Sequence, residues 1–337
     1  MKKSFAFLAV LTAIAGAASA QSSVSLSGLV DLNLRHSSNG DTTQNSVSTN
    51  GIGASQIRFQ GSDQLSSTAQ ASFWLEQGIN PDTGSAIDAA KPFNRRSTLS
   101  LSEQNLGELR LGRYFTAQYL GYGNFDPFGD TGIGASSNLT SALGSDVSTG
   151  FWSDNTIGYF LPENSLGLYG QIEIALKEGA ASGKQYRGGT LGWTNNQLNV
   201  AATLGSTDIT GGKYKNDTIA ASYTLVFGTL YGHLNSQKNT ANDQELQRYL
   251  IGASVPVGAG EVRASYASVN ASGAGTDAND ASQIALGYVH NLSKRTAVYG
   301  NYSHIDNKGA AAFGNNSLVA VAGQNSNAVE FGIRHAF

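Results

Sequence analysis

The chain has 337 residues, with 21 Lys+Arg against 24 Asp+Glu, a net charge of −3, five prolines and no cysteine. Mild acidity argues against a nucleic-acid partner, and the absence of thiols excludes cysteine nucleophiles and thiolate metal sites. So few prolines leave long stretches free to run as strands.

Residues 1–20 read as a secretory leader: Lys2 and Lys3, an apolar stretch from Phe5 to Ala18, and the small-residue triplet Ala18-Ser19-Ala20. The mature domain is then expected over 21–337. Beyond the leader no apolar run approaches the ~20 residues of a membrane helix, and mean hydropathy is −0.20. Transmembrane barrels escape such a scan, because each strand alternates lipid-facing and lumen-facing residues and averages to a mild value.

The alternation itself is plain. Val24, Leu26, Gly28, Val30, Leu32 and Leu34 share one face of the first segment, with Ser25, Ser27, Asp31, Asn33 and Arg35 on the other. Leu166, Leu168, Gly170, Ile172, Ile174 and Leu176 repeat the pattern, followed by Leu198 to Leu204, Ile219 to Leu225, Tyr249 to Val255 and Ile284 to His290. The period is two, so these are strands and not helices. Strands are expected at 23–37, 52–64, 67–79, 93–104, 107–116, 154–162, 166–178, 186–195, 197–207, 216–226, 228–238, 246–257, 259–270, 282–292, 294–306 and 327–337. Some links are tight, as at Asn195-Asn196, while 39–51 and 270–281 read as long loops. The prediction is an all-β fold, a transmembrane antiparallel β-barrel of about sixteen strands, short-turned on one rim and long-looped on the other.

A soluble β-sandwich or β-helix shows the same apolar/polar split and stays open on alternation alone. Two features favour the membrane. Aromatics gather near strand ends (Tyr114, Phe115, Tyr119, Trp193, Phe227, Tyr231, Tyr299, Tyr302), as in interfacial girdles, and the final segment alternates Val329, Phe331, Ile333, His335 and Phe337.

Several stretches carry a family likeness: His290-x-Leu292-Ser293-Lys294-Arg295-Thr296 followed by Tyr299, the terminal Gly332-Ile333-Arg334-His335-x-Phe337, and Leu109-x-Leu111-Gly112-Arg113. Phe93-Asn94-Arg95, Asp126-Pro127-Phe128-Gly129 and Asp154-Asn155-Thr156-Ile157-x-Tyr159 add to them. In these residues, and in their order over nearly the whole mature length, the chain resembles the trimeric porins of β-proteobacteria, the group that includes the neisserial porins. The resemblance implies a sixteen-stranded homotrimer in the outer membrane, with a third external loop folded into the lumen, where residues 117–150 lie. It departs from the family pattern at Gln56 and Gln60, which stand at commonly basic positions, at Arg58, which stands at a common glycine, and at Trp152, which stands at a common arginine.

Charge is unevenly spread. From Tyr114 to Leu176 there is no Lys or Arg, yet Asp126, Asp130, Asp146, Asp154, Glu163 and Glu173 occur there. Arg35, Arg58, Arg96 and Arg110 point inward if Leu34, Phe59, Ser97 and Leu109 point outward, and Glu76 and Trp74 share the inward face. The expected constriction is therefore an arginine wall (Arg35, Arg58, Arg96, Arg110, Arg113) with Glu76, opposed by Asp126, Asp130 and Asp146 of the loop. Such opposed charges set up a transverse field across a narrow aqueous pore. Arg113 matches a family constriction position, but alternation from Leu109 and Leu111 turns it towards lipid unless a bulge forms at Gly112.

No G-x-S-x-G elbow, H-E-x-x-H helix or phosphate loop occurs, and the five histidines are scattered. No enzymatic activity, cofactor or metal site is assigned. The expected function is a passive, water-filled outer-membrane channel for ions and small hydrophilic solutes, with lipid and a homotrimer as partners and no nucleic acid. A solute-specific channel and a plugged surface-binding barrel are the alternatives, and the sign of ion preference is open.

Overall fold

Alternating side chains place one apolar and one polar face on every strand, and the computed structural model, which describes residues 23–315 and 318–337, closes those strands into a single antiparallel barrel. The leader expected at 1–20 lies outside the described residues. The strands are β1 (Ser23–Asn39), β2 in two pieces (Thr42–Thr49 and Gln56–Gln64), β3 (Ala69–Asn80), β4 (Arg96–Glu103), β5 (Gly107–Phe115), β6 (Trp152–Phe160), β7 (Leu168–Ala175) and β8 (Tyr186–Thr194). They continue as β9 (Leu198–Ile209), β10 (Gly212–Leu225), β11 (Gly228–Asn239), β12 (Gln244–Val257), β13 (Gly260–Ser272), β14 (Ala281–Asn291), β15 (Thr296–Asn307) and β16 (Ser326–Ala336). Each pairs with its chain neighbours, and β1 pairs with β16 from Leu29–Ala336 to Asn39–Ser326, so the sixteen strands leave no edge.

The link at 39–51, expected to be a long loop, is instead a tight turn at 40–41 followed by eight further residues of strand, Thr42–Thr49, paired to the upper half of β1. Apart from the single exposed Val47 that segment is polar on both faces, so it carries no alternation to read. The inward excursion comes later, at 50–55, between the two pieces of β2. On the rim that carries both chain ends the links are short, such as 195–197 and 258–259, while the opposite rim bears 81–95, 116–151, 273–280 and 308–325.

The apolar face points outward. Leu34, Leu204, Ile219 and Ile251 each expose about two-thirds of their surface, whereas Asp31, Asn33, Arg35, Ser37 and Asn39 on the inner face of β1 are buried. An apolar belt around the outside and a polar interior invert the soluble pattern and suit a bilayer. Ile251→Arg should accordingly lower the unfolding free energy in lipid vesicles by ~2–4 kcal/mol. On a water-facing surface the same change is worth within about 0.5 kcal/mol, so urea titration in lipid separates the two readings.

The girdle differs from the expected set. Trp193, Phe227 and Tyr302 face outward, joined by Tyr159, Tyr223, Tyr249, Tyr266 and Tyr288. Tyr114 and Tyr299 are buried inside, Tyr231 packs against an inner cluster with Leu246 and Leu250, and Phe115 and Tyr119 stack on each other at the root of the long loop. Proximity to a strand end does not determine which face a ring occupies; register does.

Candidate constriction and its charges

Residues 116–151 fold into the barrel and lie along one side of it. The short helix α1 (Ala117–Gly123) opens the segment, its first amide donating to Glu173 on β7 and the next, from Gln118, to the Tyr186 hydroxyl on β8 at 3.2 Å. Gln283 of β14 donates to the Ile133 carbonyl at 2.8 Å, and Arg248 of β12 donates to the Ser136 carbonyl at 3.1 Å. Phe128, Ile133 and Leu139 are buried against this wall. Burial of a side chain of that size contributes ~1.5–3 kcal/mol, so the loop is anchored by packing as well as by hydrogen bonds. The remaining lumen lies between the loop and β2–β5.

A second segment supports the tip of the loop. Asp31 on β1 accepts the amides of Gly51 (3.2 Å), Ile52 (2.9 Å) and Gly53 (2.9 Å), and also the Tyr299 hydroxyl, which draws residues 50–55 inward. There the Gly51 backbone meets Gly132, whose φ of +72° and lack of room for a Cβ both require glycine.

On the opposite wall, Glu76 of β3 faces Arg58 of β2 and Arg96 of β4 in the strand register. Its carboxylate accepts from Arg58 Nε (3.2 Å), Arg95 Nε (2.7 Å) and Trp74 Nε1 (3.0 Å). The guanidinium groups of Arg58 and Arg96 lie 4.5 and 4.3 Å from the Trp74 ring. Three arginines thus surround one carboxylate, which leaves an excess of positive charge. The carboxylate also lies deeper: Glu76 keeps 7% of its side chain exposed against 28% for Arg58. Farther along, Arg110 is held by Glu108 at 2.7 Å and covers Phe160 at 4.0 Å. Arg35 lies apart, in a fully buried pair with Glu330 at 2.8 Å.

At Arg113 the register between β5 and β6 shifts, with Gly112 opposite Thr156 but Tyr114 opposite Ser153. The extra residue is therefore on β6, where Asp154 and Asn155 (φ +54°) stand against Arg113. Gly112 has φ +122°, and a Cβ there would collide with the Ser97 carbonyl. Arg113 donates to Asp154 (2.6 Å) and to the Asn94 carbonyl (2.6 Å), while Lys91 takes the other carboxylate oxygen at 2.7 Å.

Of the loop aspartates expected opposite the arginines, Asp126 and Asp130 are engaged by their own loop. Asp126 accepts the amides of Phe128 (2.8 Å) and Ser136 (2.7 Å), and Asp130 accepts that of Ser137 (2.8 Å), so both carboxylates brace their own loop and are buried. Burial, reinforced by Asp130, raises Asp126 above the usual carboxylate range, and burial raises Asp130 against the pull of Arg248. Asp146 is exposed at the rim, where the Ser182 hydroxyl and the Thr210 amide and hydroxyl hold its carboxyl below the usual range. A loop's backbone path decides where its carboxylates point, and no periodicity encodes that path. Arg95, Glu108 and Lys91 are further members of the site; the strand expected at 93–104 puts Arg95 on the face opposite Arg96, but the strand begins only at Arg96 and Arg95 reaches Glu76 from the link before it.

A closed barrel with an outer apolar belt, a polar interior and a loop folded inside it is a transmembrane pore. The family model for Gram-negative porins matches residues 8–310, and the chain belongs to that family. It is similar over the full length of both chains to outer membrane porin protein 32 of Delftia acidovorans, at 37% identity over 361 residues. Among solved structures, the anion-selective porin from Comamonas acidovorans superposes with a TM-score of 0.84 at 34% identity, covering 94% of this chain and all of that one. The trimer form of OmpT from Vibrio cholerae shares the fold, with a TM-score of 0.67 at 15% identity over 94% of this chain and 99% of that one. The protein is thus an outer-membrane porin, and porins are channels rather than enzymes.

Proposed function

We propose that this porin is a passive channel that prefers anions, with its constriction formed by Arg58, Arg95, Arg96, Arg110 and Arg113 around Glu76, against the loop that carries Asp126, Asp130 and Asp146. The observation that carries this reading is the burial order at the wall: Arg58 is fourfold more exposed than the carboxylate that pairs with it, at 28% against 7%, while the loop aspartates are turned into backbone hydrogen bonds. Around Glu76 a permeating ion then meets guanidinium groups before it meets the carboxylate. Glu108 and Asp154 are more exposed than the Arg110 and Arg113 they pair with, so the anion preference rests on the Glu76 cluster, where a fixed positive field favours anions. The name of the Comamonas relative agrees in sign.

The channel acts as a homotrimer after removal of residues 1–20. Support for trimerisation comes from the girdle: the outer faces of β1–β5 carry Leu26, Leu34, Phe59, Leu99 and Leu109 with no outward Tyr or Trp among the described residues, whereas β6–β15 carry the whole tyrosine and tryptophan belt. A wall that faces another subunit instead of headgroups has no need of interfacial aromatics. The test is single-channel recording of the purified porin in a planar bilayer under a KCl gradient. Conductance in steps of three with an anion-favouring reversal potential is expected; a cation-favouring potential would overturn the assignment of sign, and solitary unit steps that of the trimer.

A further inference from the structure

At the root of the inward loop, four half-buried aromatic rings form one continuous surface. Phe115 stacks on Tyr119 with centroids 4.8 Å apart and on Trp152 at 5.1 Å, and Phe151 joins Tyr119 at 5.1 Å and Trp152 at 5.8 Å. Two arginines border it. Arg95 lies 5.5 Å from the Phe115 centroid and 5.7 Å from Trp152, and Arg113 lies 5.9 Å from Trp152. Arg95 is the same side chain whose Nε donates to Glu76 on the arginine wall, so the aromatic surface adjoins the constriction. Its two Nη nitrogens make no hydrogen bond among the described residues.

Packing between apolar walls is the ordinary purpose of such rings. Here, however, none of the four is fully buried, and the guanidinium planes beside them supply the donors a carboxylate needs. We propose that this surface is a binding subsite for small aromatic carboxylates of the benzoate class. The carboxylate of the solute pairs with Arg95 while its ring packs on Trp152, which Phe115, held between Tyr119 and Trp152, supports from behind. The inference rests on the anion preference proposed above and adds a chemical class to it. A ring on this surface gains offset-stacked contact that an aliphatic ring of equal size and charge lacks.

The decisive comparison is between benzoate and cyclohexanecarboxylate as blockers of chloride current through the purified full-length porin in a planar bilayer. Benzoate is expected to halve the current at a concentration about threefold or more below that needed for cyclohexanecarboxylate. In Trp152→Leu and, separately, Phe115→Leu, that ratio should fall towards one. Equal half-blocking concentrations in the unaltered channel, or no block by benzoate at all, would overturn the subsite even if chloride is preferred over potassium. A channel that prefers potassium would instead remove the anion reading on which the subsite rests. Because the ratio in the unaltered protein is itself a test, poor folding of either variant leaves the proposal open to refutation.

Discussion

Arg58→Glu combined with Arg95→Glu is expected to invert the ion preference of the channel. The double change moves the wall by four charge units and leaves Glu76 with only the Trp74 indole of its three direct hydrogen-bond donors. At 4 Å a unit charge is worth about 1 kcal/mol in bulk water and more where the dielectric constant falls. Four such steps amount to several kcal/mol for an ion passing in contact, so the anion-to-cation permeability ratio should change more than tenfold and cross unity. Screening fixes the conditions: the Debye length is about 10 Å at 0.1 M salt and 3 Å at 1 M, so the inversion should be pronounced in dilute KCl and muted in concentrated KCl. Arg58→Lys with Arg95→Lys keeps the charge and should keep the sign. Reversal potentials that do not move in the glutamate variant would remove these residues from the selectivity filter.

The second large effect is expected at Asp31, far from the arginines. Its carboxylate holds the amides of three successive residues and the Tyr299 hydroxyl, and the segment so held supports Gly132 at the tip of the inward loop. Asp31→Ala leaves those donors without an acceptor. Each unsatisfied buried group costs ~1–3 kcal/mol, and part of that cost will be relieved by residues 50–55 swinging away. The folded porin should therefore lose about 3–6 kcal/mol and become heat-modifiable in SDS gels at a markedly lower temperature. Open-channel current should also grow noisier, because the loop tip has lost its support. A quiet channel of unchanged conductance from Asp31→Ala would mean that the loop is held by its packing on β7–β15 alone.

How far sequence patterns reach depends on which force sets each feature. The strands were legible because a barrel wall obeys one rule, lipid on one face and water on the other, and Leu34, Ile219 and Ile251 obey it. Thr42–Thr49 obeys no such rule, since Val47 is its one apolar residue, and it reads as a loop. Arg58, Arg96 and Arg110 could be placed by counting from an outward neighbour. Counting misplaces Arg95, because the expected strand at 93–104 starts three residues before β4 does and sets Arg95 opposite Arg96. At Arg113 parity alone says nothing of its partners, and only the local pairing, with two residues of β6 against one of β5, shows its contacts. The loop aspartates were recognisable as acids in the right segment, but whether a carboxylate faces a solute or a backbone amide is decided by a chain path that no repeat describes.

The pairing of β1 with β16 bears on how the protein comes to exist at all. Gly28 exchanges two backbone hydrogen bonds with Phe337, at 3.0 and 3.1 Å, so the seam joins positions separated by nearly the whole chain. Contacts of such long sequence separation form late and slowly. Until they form, the growing sheet has two unpaired edges, each a template for aggregation. Until the seam forms the chain therefore has to be kept from its own kind, and closure, rather than the finished pore, is the stage open to aggregation.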